Sequence, residues 1–232
     1  MNTSQNPISG TPNTDVPPNN QSGIKGKNTR LIVVCGVDGA GKSSLIEALR
    51  AKKIPNAAFV HKKSWACARL VNLYYSRSDP RPSDWISGAF AEMMGHACLM
   101  DFLSHFDDNI RPLIGQYDYL FCDRYFYCFA AFLRIVRPDL EVLSKLSATI
   151  PSPELVVHVR VELARLRERY EMRGGASEDE SLELMSRIDR EYLTLFESLG
   201  RRVVRVENNG SFEDTFNTVS GLLKNRFPEL PI

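Results

Sequence analysis

The feature that most constrains this chain is a glycine-rich octapeptide near its N-terminal end. Residues 36–43 read Gly-Val-Asp-Gly-Ala-Gly-Lys-Ser, which has the spacing of a phosphate-wrapping loop: Gly, four residues, then Gly-Lys-Ser. An apolar run at residues 31–35 precedes the loop, and a helical pattern from about residue 42 to 53 follows it. This order points backbone N–H groups and the positive end of a helix at one anion. The octapeptide therefore predicts a phosphate site rather than a plain turn between a strand and a helix.

The residue types in the loop have separate predicted roles. Lys42 supplies a mobile ammonium for the phosphates, and Ser43 supplies a hydroxyl for a magnesium ion shared with them. The residues predicted to surround the nucleotide phosphates are Gly36, Asp38, Gly39, Ala40, Gly41, Lys42, Ser43 and Ser44. We therefore expect ATP and Mg²⁺ as cofactors.

The composition is that of one α/β domain with a tail. The chain has 232 residues, 43% of them hydrophobic, and a formal net charge of +1, so general affinity for nucleic acid is not expected. Residues 1–28 are rich in Asn, Pro, Thr, Ser and Gly and predict a disordered tail, whereas residues 29–232 predict the folded domain. Signal and transmembrane patterns are not evident, and the five cysteines include no Cys-x-x-Cys pair. We therefore expect a cytoplasmic protein that does not bind membranes.

A second informative stretch is the apolar run that ends at Asp123. Residues 117–123 predict a strand, and further strands are predicted at residues 57–61, 154–159 and 201–206. A carboxylate at the end of such a strand lies beside the phosphate loop, where it can hold magnesium or its water. The next residue, Arg124, offers a planar fork for a phosphate. The alternative interpretation is a local salt bridge between the two side chains.

An arginine-rich stretch around residues 160–178 predicts a lid. Three of its arginines recur every four residues and share one helix face: Arg165, Arg169 and Arg173. A Gly-Gly break at residues 174–175 follows them, and Ser177 with Glu180 predicts a capping box for the next helix. The alternative interpretation is a solvated helix whose glutamates neutralise the arginines.

Together these motifs resemble the thymidylate kinase family of nucleoside monophosphate kinases. The resemblance extends from about residue 30 to the C-terminus. It is most specific at Val-Asp-Gly-Ala-Gly-Lys-Ser-Ser, at Cys-Asp-Arg-Tyr, and at Arg-Ile-Asp-Arg-Glu-Tyr-Leu in residues 187–193. It implies a P-loop NTPase fold, that is, a doubly wound parallel five-stranded sheet with helices on both faces.

The resemblance also implies roles for individual residues. Lys42 is placed at the β- and γ-phosphates, and Ser43 and Asp123 at the metal. Arg124 is placed at the acceptor phosphate, and Asp38 near a sugar hydroxyl of the acceptor.

The loop has Ala40 where some members of the family have an arginine. The resemblance is then to the bacterial type, in which the lid supplies the catalytic arginines. This shifts the expected catalytic role to Arg165, Arg169 and Arg173. With them, the predicted catalytic set comprises Lys42, Asp123, Arg124, Arg165 and Arg169.

The departures from the family pattern are concentrated on the acceptor side. Lys62-Lys63-Ser64-Trp65 stands in place of Arg-Glu-Pro-Gly, and Met94 occupies the base-reading arginine position if Phe90 is the stacking residue. The predicted acceptor-binding set is Asp38, Phe90, Met94 and Arg124. An apolar pocket at this place should bind something other than thymine, or bind thymine loosely, because a base-reading site discriminates through its polar partners.

The main hypothesis is an ATP-dependent kinase of a small-molecule acceptor, with a nucleoside monophosphate such as dTMP as the first candidate. The alternatives are a kinase of a nucleoside or another small metabolite, a GTP-dependent switch, and a nucleotide-binding regulator without catalysis. A switch is disfavoured because no Asn-Lys-x-Asp guanine-recognition motif is found. By analogy with the family, a homodimer is expected through the helical region at residues 86–106.

Overall fold

The computed structural model describes residues 28–62, 66–75, 82–85, 88–136, 142–175, 181–197 and 199–232. The predicted tail falls outside these ranges apart from Asn28. Two predicted features also fall outside them: the capping box at Ser177 and Glu180, and Lys63 in the stretch Lys62-Lys63-Ser64-Trp65.

Five parallel strands form the single sheet of the described chain. They are β1 Arg30–Cys35, β2 Ala57–His61, β3 Tyr119–Asp123, β4 Leu155–Arg160 and β5 Val203–Glu207. Their order in the sheet is β2-β3-β1-β4-β5, and every neighbouring pair is parallel. The order turns outward in both directions from β1, which confirms the doubly wound P-loop NTPase fold.

Helices connect the strands. They are α1 Lys42–Ala51, α2 Ala66–Tyr75, α3 Gly88–His105, α4 Phe126–Val136, α5 Val142–Thr149, α6 Leu163–Met172, α7 Leu182–Glu197 and α8 Phe212–Arg226. Short helical turns lie at Pro82–Trp85, Phe106–Ile110, Arg111–Leu113 and Gly200–Arg202. Within the described parts of the chain, no helix combines the length and apolar character needed to cross a membrane.

Strand β1 feeds two hydrophobic cores, one on each face of the sheet. Ile32 and Val34 pack on one face in a cluster that includes Leu45 of α1 and Val219 of α8. Leu31 and Val33, which alternate with them, pack on the other face in a cluster with residues of α3, α4 and α7. Because side chains alternate along a strand, a strand covered on both sides must be apolar throughout.

The sequence predicts one apolar face on helix α3 from the helical spacing of Ile86, Phe90, Met93, Met94, Ala97 and Met100. Phe90 and Met94 are buried as this predicts, but Met93 is 48% exposed and Met100 58% exposed. The helix instead buries Gly95, Asp101 and His105. Apolar spacing alone could not separate the two sides of α3, since both sides carry methionines and alanines.

The C-terminal helix begins as its sequence predicts. The Ser211 side chain accepts a hydrogen bond from the Asp214 backbone N–H at 3.1 Å and caps α8. Pro228 after this helix predicts the end of the ordered chain, and that prediction was wrong, because Leu230 is buried in the same core as Phe227.

Candidate active site

The loop at residues 36–41 owes its shape to glycines that no other residue can replace without strain. Gly36 has a φ of 148°, and a Cβ atom placed there would lie 2.2 Å from the Val159 carbonyl oxygen. Gly41 has a φ of 96°, and its Cβ would lie 2.5 Å from Asn208 Nδ2. The loop can therefore approach β4 and the turn before α8 this closely only because these two positions lack a Cβ atom.

Three side chains hold the outer side of the loop by its carbonyl groups. Tyr170 donates from its hydroxyl to the Asp38 carbonyl at 2.8 Å, and Arg169 donates to the Gly39 carbonyl at 3.0 Å. Asn208 donates to the Ala40 carbonyl at 2.7 Å. Asn208 is itself fixed by the Thr215 hydroxyl, which donates to its Oδ1 at 2.9 Å. Helix α6 and the turn after β5 thus clamp the loop.

Lys42 is turned into the loop that it follows. Its side chain is buried, and its Nζ donates to the Val37 carbonyl at 2.7 Å and lies 3.7 Å from Asp38 Oδ1. Burial lowers the pKa of Lys42, against an opposing effect of the Asp123 carboxylate. The ammonium is therefore placed at the centre of the loop, where a phosphate would be bound.

Ser43 and Asp123 meet across the carboxyl edge of the sheet. The Ser43 hydroxyl donates to Asp123 Oδ2 at 2.8 Å. Asp123 Oδ1 is buried and has no hydrogen-bond partner among the described residues. A hydroxyl beside an unpartnered carboxylate oxygen is a suitable ligand pair for Mg²⁺, which binds through one or two carboxylates together with substrate phosphates. The two residues assigned to the metal by sequence are therefore adjacent in space and fit such an ion.

His61 is a neighbour of Asp123 that the sequence analysis missed. It ends β2, with Nδ1 3.7 Å from Asp123 Oδ2 and Nε2 3.0 Å from Glu47 Oε1 of α1. The Nε2 contact with Glu47 lacks the angle of a hydrogen bond. The sequence does carry a signal for this position, because His61 is the last residue of a predicted strand and directly precedes Lys62.

Arg124 has an unusual backbone conformation that turns the chain away from the sheet. Its φ is 73°, and its N–H donates to the Val34 carbonyl of β1 at 3.0 Å. Its guanidinium contacts the Asp38 carboxylate. Arg124 therefore forms its salt bridge with the loop acid Asp38, whereas the alternative considered from the sequence paired it with Asp123.

The three arginines of α6 do not converge on one point. Arg165 donates to the Asn209 carbonyl at 3.1 Å and pairs with Glu168. Arg169 bridges the loop and the turn before α8, since it also donates to the Asn208 carbonyl at 2.6 Å. Arg173 lies over the ring of Tyr170, with its guanidinium carbon 4.4 Å from the ring centre. Of the three, Arg169 makes a contact with the phosphate loop in this structure, and the catalytic role of the set stays a prediction.

A cavity of about 360 Å³ opens beside Asp38 and Arg124. It lies between α2, α3, α4 and α7, and its walls are mostly apolar. The lining includes Met94, Trp85, Phe129, Phe132, Met185 and Ile188, together with the polar side chains Lys62, Asn72 and Tyr192. Its position next to Arg124 makes it the candidate acceptor cavity.

The structure brings three of the four predicted acceptor residues to this cavity. Asp38, Met94 and Arg124 line it. Phe90 does not, because Tyr74 stacks on it with ring centres 3.9 Å apart and Trp85 packs edge-on at 5.1 Å. The stacking role of Phe90 stays a prediction, and Trp85, Phe129 and Phe132 supply the aromatic surfaces of the cavity.

Curated relatives match this chain over most of its length, although no protein-family model matches it. A probable thymidylate kinase of Staphylothermus marinus is 24% identical over 197 residues, which cover 84% of this chain and 95% of the relative. A thymidylate kinase of Desulfotalea psychrophila is 26% identical over 183 residues, covering 76% of this chain and 84% of the relative. This chain is therefore similar, over most of its length, to proteins named thymidylate kinase.

Solved structures share the fold of this chain. A thymidylate kinase from Candida albicans superposes with a TM-score of 0.59 at 15% identity, covering 85% of this chain and 92% of that one. A thymidylate kinase from Ehrlichia chaffeensis gives a TM-score of 0.57 at 14% identity, covering 84% of this chain and 99% of that one. The chain therefore spans nearly the whole thymidylate kinase fold.

Proposed function

We propose that this protein is a magnesium- and ATP-dependent kinase of a nucleoside monophosphate, with dTMP as the first acceptor to test. The observation that carries the proposal is the contact of Ser43 with Asp123, beside the buried Lys42. It joins the loop hydroxyl, the strand-end acid and the loop lysine at one edge of the sheet, where phosphoryl transfer needs them. Relatives named thymidylate kinase support the acceptor class.

The residues of the site divide the work of phosphoryl transfer between donor and acceptor. Ser43 and Asp123 would hold Mg²⁺, which would supply positive charge beside the donor phosphates. Lys42 exchanges the Val37 carbonyl for phosphate oxygens, and Arg124 exchanges Asp38 for the acceptor phosphate. Arg169 stands beside the loop, and it stabilises charge that develops in the transition state. Positioning and electrostatics suffice, so a covalent enzyme intermediate is not required.

An acceptor other than a nucleoside monophosphate is the second candidate, and the cavity favours it. The position beside Arg124 is lined by Met94, Phe129 and Phe132, which cannot hydrogen-bond to the edge of a base. A small metabolite or nucleoside with a less polar body would leave fewer unpaired groups in such a cavity.

A cytoplasmic location is also part of the proposal. It is supported by the absence of disulfides among the five cysteines, all of which are free.

The proposal is tested by assaying the purified chain for ADP formation from ATP with a panel of nucleoside monophosphates, nucleosides and small phosphates. We expect turnover with at least one nucleoside monophosphate and a strict requirement for Mg²⁺. If only nucleosides or other metabolites are turned over, the second candidate replaces the first. Tight ATP binding without turnover of any acceptor would indicate a non-catalytic regulator.

A substitution of Lys42 separates catalysis from folding. Lys42→Met should lower the rate by about 100-fold or more, because the transferred charge loses its fixed cation. Lys224→Met, on the exposed side of α8, is the matched control and should keep the rate of the wild type. Thermal unfolding of both variants checks that they fold. A folded Lys42→Met variant with the wild-type rate would contradict the proposed site.

A further inference from the structure

Two cysteine side chains face each other at the wall of the candidate acceptor cavity. Cys67 lies in the first turn of α2 and Cys98 lies on α3, and their Sγ atoms are 3.3 Å apart. Both residues line the cavity. A disulfide has its sulfur atoms about 2.05 Å apart, so the pair must approach by only about 1 Å more to form one.

Asp101 fastens the two helices together at the position of the thiols. It lies one helical turn after Cys98, is buried, and accepts hydrogen bonds from the backbone N–H groups of Ala66 at 2.7 Å and Cys67 at 3.0 Å. This carboxylate satisfies the free N–H groups at the start of α2. It thereby fixes the start of α2, and Cys67 with it, against α3 beside Cys98.

We propose that Cys67 and Cys98 form an oxidant-sensitive dithiol, and that its conversion to a disulfide narrows the acceptor cavity. The oxidant is of the hydroperoxide class, for which hydrogen peroxide is the simplest probe. The disulfide chemistry stands by itself, whereas the effect on acceptor binding rests on the function proposed above.

The reaction has two steps. The Cys98 thiolate attacks one oxygen of hydrogen peroxide, the O–O bond breaks, and the leaving hydroxide takes a proton to become water, which leaves a sulfenic acid on Cys98. The Cys67 sulfur then displaces hydroxide from that sulfenic acid and forms the S–S bond, and its proton goes to the displaced hydroxide, which becomes the second water. The two thiols lose two electrons to the peroxide, and a thiol reductant returns them.

The surroundings of the pair favour Cys98 as the first thiol to react. The hydrogen bond from Cys67 lowers the pKa of Cys98, burial opposes this, and the Lys62 ammonium lowers the pKa further. The same hydrogen bond and burial raise the pKa of Cys67. Because the thiolate is the nucleophile, Cys98 attacks the peroxide and Cys67 resolves the sulfenic acid.

The disulfide would narrow the cavity from one side. Ala68, Val71 and Asn72 of α2 line the cavity together with Cys67, so drawing the start of α2 toward α3 carries this wall inward. The phosphate loop and α1 lie outside that movement. Oxidation should therefore weaken acceptor binding and leave the binding of an ATP analogue unchanged.

A second close thiol pair provides an internal comparison. Cys35 and Cys128 have Sγ atoms 3.5 Å apart, but Cys35 lies in the central strand with no exposed surface. Peroxide reaches Cys67, Cys98 and Cys128 through the cavity that they line, but Cys35, the partner of Cys128, is held in the core of the central strand and cannot move toward it. The first disulfide should therefore join Cys67 to Cys98.

The experiment treats the reduced full chain with hydrogen peroxide, alkylates the remaining thiols and identifies cross-linked peptides by mass spectrometry. Calorimetry then compares dTMP and a non-hydrolysable ATP analogue on the reduced, oxidised and re-reduced protein. Cys67→Ser and Cys98→Ser remove the pair, and Cys122→Ala in β3 is the control that keeps it. Asp101→Ala should slow formation of the disulfide, because the helices are no longer fastened beside it.

We expect a Cys67–Cys98 cross-link in the wild type and in Cys122→Ala, dTMP affinity at least about tenfold weaker after oxidation, and recovery with dithiothreitol. A cross-link confined to Cys35–Cys128, or over-oxidation of Cys98 without a disulfide, would overturn the dithiol. Unchanged dTMP affinity in the cross-linked protein would overturn the narrowing of the acceptor cavity. If even the reduced protein does not bind dTMP, the proposed acceptor is wrong. The movement of α2 is then tested by hydrogen exchange in that helix, which the disulfide should slow.

Discussion

At the scale of single residues, the candidate site brings two carboxylates and two cations together at one edge of the sheet. Asp38 lies between two cations, in contact with Arg124 and 3.7 Å from Lys42 Nζ. Asp123 keeps one oxygen without a partner while the other accepts the Ser43 hydroxyl. A buried carboxylate oxygen without a partner is costly, and a bound cation would remove that cost.

Replacing Asp123 by Asn should raise the Mg²⁺ concentration that nucleotide binding requires. The amide keeps an acceptor for Ser43 but removes the negative charge, so we expect at least about tenfold more Mg²⁺ to be needed for half-maximal binding of a fluorescent ATP analogue. Asp107→Asn is the matched control, because that carboxylate is exposed and pairs only with Arg111 among the described residues. An unchanged Mg²⁺ requirement in Asp123→Asn would exclude it as a ligand.

Replacing Gly36 by Ala should destabilise the fold itself. The new methyl group would meet the Val159 carbonyl at 2.2 Å, and neither backbone can move without breaking the contact between β1 and β4. Gly221→Ala is the matched control: it lies within α8 with no atom near its added methyl group, and Ala is favoured in a helix by about 1 kcal/mol. Urea unfolding should show a lower free energy of unfolding for Gly36→Ala and a slightly higher one for Gly221→Ala. Equal stabilities would refute the steric argument.

At the scale of elements, β4 and α7 are joined by a polar cluster behind the phosphate loop. Asp189 of α7 accepts from Arg160 of β4 at 2.7 Å and lies 3.5 Å from Nε2 of the fully buried His158. Arg160 also pairs with Glu207 of β5. Burial raises the pKa of Asp189, but the adjacent His158 ring and the hydrogen bonds from Arg160 outweigh this effect and lower the pKa to about 2. The Arg160 guanidinium of β4 therefore joins α7 and β5, because it pairs with both Asp189 and Glu207.

The Asp189 cluster should give the protein an acid-sensitive share of its stability. Because the folded-state pKa is below the ordinary value of 3.8, this share is present above about pH 4 and is lost as the pH falls toward about 2. Asp189→Asn should be less stable at neutral pH by about 1 kcal/mol and should lose less stability between pH 4 and 2. Thermal melts across this range measure both effects, with Glu183→Gln at an exposed pair as control. Parallel pH profiles for wild type and Asp189→Asn would contradict the assignment.

At the scale of the whole molecule, the two halves of the site have different supports. The donor half lies on the sheet edge and is clamped by α6 and the turn after β5, whereas the acceptor cavity lies between four helices. A strand edge shared by parallel neighbours varies little in shape, but a space between helices changes with each side chain that lines it. Lys62 and Met94, two of the positions where the sequence departs from the family pattern, line this second half.

The exposed methionines of α3 predict an interface between two copies of the chain. Met93 and Met100 lie two helical turns apart on one side of α3, 48% and 58% exposed, and an interface would bury them. We expect light scattering after size exclusion to show a dimer that Met93→Glu with Met100→Glu converts to a monomer. Met172→Glu is the control, because that side chain is 80% exposed on α6. A wild-type monomer, or a dimer unaffected by the double substitution, would contradict this interface.

The sequence by itself determined the donor half of the site and the fold. The spacing of residues 36–43 requires a strand, a tight loop and a helix, and the strand ending at Asp123 then has one place to lie. Both are local patterns, because each depends on residues that are neighbours along the chain. The strand predictions were accurate to within two residues for the same reason.

Only the tertiary structure decided which side chains share a space. The sequence could not show that Arg124 contacts Asp38, that Phe90 is covered by Tyr74, or that His61 stands beside Asp123. It also could not show that Cys67 and Cys98 meet, since they are 31 residues apart on different helices. These contacts depend on how helices pack against one another, and packing is a property of the complete core rather than of any one segment.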